Sequence, residues 1–227
     1  FGAKIVTPNE FIAPNIASDP SSPVAGELYY NTTDNVMKHY TGDKWEQMTN
    51  KFSASGGIEN TYTENGTNYK SHTFTSSGTF NVDASGQIDV LIIAGGGGGG
   101  AGREGSSVPG AGGGAGGFIE TVSLGVTPGS YNIVVGAGGT SVLDGATTTS
   151  STPTGGNGTN STAFGLTTAL GGGGGASRTS TSSTAGNGGS GGGRSIDNTS
   201  GGLGTSGQGY NGGAGGSNRP WAAGGGG

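Results

Sequence analysis

The sequence predicts an all-β protein in three parts. An extended N-terminal arm leads into an antiparallel meander, and a glycine-rich domain of short strands and polyglycine-type extended helices follows. Three observations carry this. β-prone runs separated by tight polar turns fill residues 25–94. Six consecutive glycines, Gly95–Gly100, then begin a half that holds 48 of the 56 glycines. Apolar strands at Phe118–Val122, at Tyr131–Val135 and around Ala163–Leu170 interrupt that half at intervals a flexible linker has no need of. The boundaries read as arm 1–24, meander and connector 25–73, and glycine-rich domain 74–227.

In the arm, Pro8, Pro14, Pro20 and Pro23 forbid a helix and restrict the residues before them. With almost no apolar cluster, the arm is expected to lie on another subunit. In the meander, Glu27–Asn31, Val36–Tyr40 and Trp45–Met48 are strands, with turns at Thr32–Asn35 and Gly42-Asp43. Tyr29, Tyr30, Tyr40 and Trp45 are read as one docking face against a neighbouring copy. Residues 50–75 read as a polar connector ending in a strand at His72–Thr75. Thr79–Val82 and Gln87–Ala94 are strands. The unbroken Val90–Ile93 run points to cover on both faces.

The glycine runs break the strict three-residue period of collagen. Asp144 and Asp197 are too few for calcium-binding β-rolls. A three-per-turn extended helix makes no internal hydrogen bonds, so its N–H and C=O groups point outward. Without Cβ atoms such segments pack closely and bond to one another. Ordering each residue costs about 1–2 kcal/mol, most for glycine, so anchors are required. Phe118, Tyr131, Phe164, Tyr210 and Trp221 are the expected anchors.

The chain has no cysteine, so a thin core is expected to be completed by oligomerisation. A net charge of −5 without a basic patch argues against nucleic acid, and no run approaches a membrane span. The start at Phe1 and the end in a glycine run read as a processed or truncated piece of a longer product. Asp89–Gly100 mimics a dinucleotide-binding turn, yet Pro109 and the following glycines prevent the helix that turn needs. His39 and His72 lack partners at ligand spacing, and Asp34, Asp43 and Glu46 read as solvated turn residues. No cofactor, metal site or catalytic group is expected. Sequons at Asn31, Asn65, Asn157, Asn160 and Asn198 are no more than the composition gives by chance.

Two segments resemble known proteins. Pro23–Met48, PVAGELYYNTTDNVMKHYTGDKWEQM, is similar to a module of bacteriophage tail-fibre and other virion appendage proteins, cyanophages included. Phe74–Gly100, with its F-x-x-S-G-T-F start, resembles the glycine-rich domain at the ends of phage tail proteins, as do VTPGSYNIVVGAGG and NSTAFG. The resemblance implies a part exposed on the virion surface, often a homotrimer, that docks to the particle through residues 1–50. Some phage adhesins present receptor-binding loops from a sandwich of polyglycine helices. This chain departs from them in its interposed strands and in lacking tandem aromatic-rich loops. The expected receptor-binding residues, toward a host-surface glycan, are Arg103, Arg178, Arg194, Tyr210, Arg219 and Trp221, because guanidinium forks and aromatics suit sugar or phosphate groups. The alternative expectation is a purely structural capsid decoration, collar or fibre-shaft protein.

Overall fold

Tight polar turns bring β-prone segments together at the start of the chain, and left-handed backbone marks them: φ is +55° at Asn35 and +102° at Gly42. The computed structural model describes residues 12–48, 52–102, 109–142, 154–178, 184–195, 200–216 and 222–227. They are all-β, in two compact units that divide at residues 51 and 52.

In the first unit, β1 (Asn15–Ile16), β2 (Leu28–Asn31), β3 (Val36–Tyr40) and β4 (Trp45–Gln47) form one sheet in chain order. β1 is parallel to β2 and the other pairs are antiparallel, with Tyr29 opposite Lys38 and Tyr40 opposite Trp45. Strand alternation therefore sets Tyr29, Lys38, Tyr40 and Trp45 on one face and Tyr30 on the other. The Trp45 ring packs 4.7 Å from Tyr29, edge to face, and 5.4 Å from Tyr40.

That face is covered from within the chain by residues 14–20 of the expected arm, while residues 1–11 lie outside the described residues. Tyr30 N donates to Pro14 O and Trp45 Nε1 donates to Pro20 O, at 2.8 and 3.2 Å. The Tyr29 hydroxyl donates to Asp19 and accepts from Asn31 Nδ2 at 2.9 Å, leaving Tyr29 only 1 % exposed. Lys38 Nζ lies 2.7 Å from Asp19 and 2.8 Å from Asp34. The Lys38 ammonium, and then the Tyr29 hydroxyl, hold the Asp19 carboxyl below its ordinary range. Burial, with the Asp19 bond behind it, pushes the Tyr29 phenol up. Tyr29 is a core residue of this unit, not a docking contact, and the expected four-aromatic face is split.

The second unit begins at Phe52, so residues 52–73 fold with the glycine-rich part. β5 (Ala54–Ser55), β8 (Gly78–Val82) and β11 (Gly129–Ile133) form a sheet in the order β11-β8-β5, and β9 (Gly86–Ile93) pairs with β10 (Phe118–Val126). Phe80 and Val82 of β8, Val90 and Ile92 of β9, Val126 of β10 and Ile133 of β11 meet in one core with Ala163 and Ala169. Phe164 caps it, its ring 5.6 Å from Phe80 and 5.1 Å from Tyr131. Around Ala163–Leu170 only bridges occur, Val134 with Thr162 and Ser161 with Ala169, in place of the expected strand.

Two further expectations change. β9 alternates: Val90 and Ile92 are buried, while Leu91 and Ile93 are each 58 % exposed, beside an exposed Phe118 directly opposite Ile93. Only one face of that strand is covered, so Phe118 is not an anchor. The expected polar connector contains a seven-pair hairpin, β6 (Ile58–Glu64) and β7 (Thr67–Thr73), turning at Asn65 and Gly66 with φ of +50° and +79°. Positive φ at both central residues is the two-residue turn that matches strand twist.

Candidate functional site

Extended segments outside the named strands, among them 94–102, 109–117, 134–142, 154–161 and 170–178, form a lattice whose hydrogen bonds recur every third residue. The carbonyls of Gly95, Gly98 and Ala101 accept from the N–H groups of Gly172, Gly175 and Arg178 at 2.8–2.9 Å. The N–H groups of Ala94, Gly97 and Gly100 donate to Gly117, Gly114 and Ala111 at 2.8–3.0 Å. Those of Ala111, Gly114 and Gly117 donate onward to Ala176, Gly173 and Leu170 at 2.7–3.0 Å. A three-residue step is the period of the extended helix, whose polar groups all face its neighbours. Segment 170–178 lies inside, buried at every residue from Gly171 to Arg178.

Glycine is required sterically here. A Cβ on Gly97 or Gly174 would sit 2.1 or 1.8 Å from the Gly173 or Gly155 carbonyl oxygen. Asparagine and serine side chains serve as extra rungs. Asn157 Oδ1 accepts from Gly174 N at 2.7 Å and Asn160 Oδ1 from Gly171 N at 2.9 Å. Asn187 Oδ1 accepts from Leu203 N at 2.7 Å, and Ser177 Oγ from Ala101 N at 2.8 Å.

The bonds also fix the polarity of the lattice. At one end its segments run into β9, β10 and β11. Toward the other end the described parts of these segments include Gly102, Pro109, Val142, Arg178, Arg194 and Ser195. Val142 N to Gly99 O, Gly155 N to Gly175 O, Ser195 Oγ to Pro109 O and Ala223 N to Arg194 O bond the segments side by side here. Arg178 and Arg194 both stand at this end, on neighbouring segments joined through Ala176 N and Gly193 O at 3.0 Å. Arg178 is buried, at 9 % exposure, and Arg194 is half-buried. Tyr210, one three-residue step before Gly213, the partner of Arg194 N, joins the lattice by its carbonyl, which accepts from Gly191 N at 2.9 Å, while the residue is 74 % exposed and its ring is not a core anchor. Arg103, Arg219 and Trp221 lie outside the described residues.

Sequence reasoning missed a groove on the flank of the lattice. It is an open depression of about 440 Å³ lined by Asn157, Asn160, Leu170, Asn187, Leu203 and Thr205. The one available signal was the three-residue spacing of Asn157 and Asn160, which places both on one side of an extended helix. Among the described residues no group of three or more His, Cys, Asp or Glu is placed to hold a metal ion, and no helix is long and apolar enough to cross a membrane.

Residues 73–227 match a family model described as a glycine-rich domain. No curated protein and no solved structure matches the chain.

Proposed function

We propose that this chain, which belongs to the glycine-rich domain family, is a bacteriophage fibre or adhesin subunit that attaches to the particle through its N-terminal unit and presents the lattice for binding to the host surface. The observation that carries this reading is the backbone-bonded lattice itself, which holds segments such as 94–102, 109–117 and 170–178 in fixed register. Binding residues on connections held by a rigid framework are a recurrent solution to recognition. A lattice without bulky side chains holds many chain crossings in a small volume. The likeness of Pro23–Met48 and Phe74–Gly100 to phage appendage proteins points the same way.

The reading includes assembly into a homotrimer. Its support is the exposed face of β9 and β10, where Phe118 stands opposite Ile93, Leu91 stands opposite Glu120, and Val122 is 66 % exposed. Exposed apolar patches mark interaction surfaces.

Immunogold labelling of virus particles carrying the chain tests the reading. A few labelled positions at the tail support a host-binding appendage. Label spread over the shell overturns it in favour of a capsid decoration protein.

A further inference from the structure

We propose that the groove on the lattice flank is a binding site for a neutral sugar unit carrying an acetamido group. The inference rests on the host-binding reading for its biological meaning and on the groove alone for its chemistry. A backbone N–H can only donate, so the bonds from Gly174, Gly171 and Leu203 fix Oδ1, not Nδ2, as the inward atom of Asn157, Asn160 and Asn187. Each amide is thereby held in one orientation. The Nδ2 groups make no hydrogen bond to the described residues and remain as preoriented donors. Thr205 Oγ1 donates to Gly188 O at 2.8 Å, which leaves its lone pairs to accept.

No charged residue lines the groove, which disfavours acidic or phosphorylated ligands. Its volume of about 440 Å³ suits one or two sugar units. Amide donors call for acceptor oxygens, and an acetamido carbonyl is an acceptor with no competing proton. Leu203, 58 % exposed, and Leu170 give the acetyl methyl and the C–H face of a sugar ring an apolar contact. Few precisely held polar groups beside apolar ones is the usual composition of a small-ligand site.

The test is an NMR titration of the full chain with N-acetylglucosamine, N-acetylgalactosamine, glucose and sialic acid. An N-acetylhexosamine should bind with millimolar affinity, more tightly than glucose, and perturb Asn157, Asn160 and Leu203. Asn160→Asp and Asn187→Asp keep the lattice acceptor and remove the donor, so each should weaken binding at least tenfold with an unchanged Tm. Leu203→Ala should weaken it several-fold. Absence of binding by either N-acetylhexosamine, a preference for sialic acid, or Asp variants that bind like the parent would overturn the proposal. Sugar binding by a chain that labels the shell of the particle would overturn the adhesin reading and leave this site standing.

Discussion

Gly98 faces Thr140 so closely that a methyl group on it would lie 2.1 Å from the Thr140 carbonyl oxygen, whereas its neighbour Gly99 has 3.7 Å to the nearest such atom, Ala111 O. Adjacent glycines therefore do different things. One is demanded by lattice packing, and the other has room for a side chain.

Gly98→Ala should destabilise the second unit by about 3 kcal/mol or more, the upper range for forcing an extra methyl into a close-packed interior. Gly99→Ala should be neutral, or stabilising by up to about 1 kcal/mol through reduced freedom of the unfolded chain. Urea unfolding of the two variants checks this, and equal effects would contradict a lattice in which these two positions differ.

Asn160→Ala should cost about 1–3 kcal/mol, because it strands the buried Gly171 N–H without its acceptor. Asn160→Asp, which keeps the acceptor, should restore the stability of the parent. The comparison separates the rung from the bulk of the side chain and is read by thermal denaturation.

The first unit should lose stability at both pH extremes. The Asp19 carboxyl lies below its ordinary 3.8 when folded, so its contribution is complete above that value and disappears as pH falls below it. The Tyr29 phenol lies above its ordinary 10.0, so the folded state keeps a proton that the unfolded state releases, and stability falls as pH rises past 10. Asp19→Asn should flatten the acid limb. Near-ultraviolet circular dichroism of Tyr29 and Trp45 against pH would show it, and an unchanged acid limb would contradict the assignment.

Phe118→Lys should convert an oligomer into a monomer without lowering Tm, since Phe118 is 48 % exposed in the single chain. Leu203→Lys, at 58 % exposure, should leave the assembly intact. Sedimentation velocity distinguishes the two. An oligomer that survives Phe118→Lys would remove the β9–β10 face from the interface.

The meander was legible because its information is local: Leu28–Asn31, Val36–Tyr40 and Trp45–Gln47 are separated by turn residues that allow one pairing only. The hairpin around Asn65-Gly66 carried an equally local signal, hidden by the polar residues of its strands, since neither β6 nor β7 packs on a core over most of its length. β9 misled for the opposite reason. Val90 to Ile93 are all apolar, and only tertiary structure shows that two face inward. The role of the glycine runs followed from the missing Cβ, but their pairing did not. Nothing near Gly95 or Gly172 in sequence marks them as partners, because backbone-to-backbone recognition carries no side-chain code. The groove was invisible for the same reason: Asn157 and Asn187 meet Leu203 only once the lattice exists.

The central claim is that the glycine runs are a bonded scaffold and not a tether. Amide hydrogen exchange at Gly172, Gly173 and Gly175, all buried donors within the lattice, tests it most directly. The account predicts protection comparable to that of Val90 and Ile92 in the β core. Exchange at the rate of an unstructured glycine peptide would contradict it.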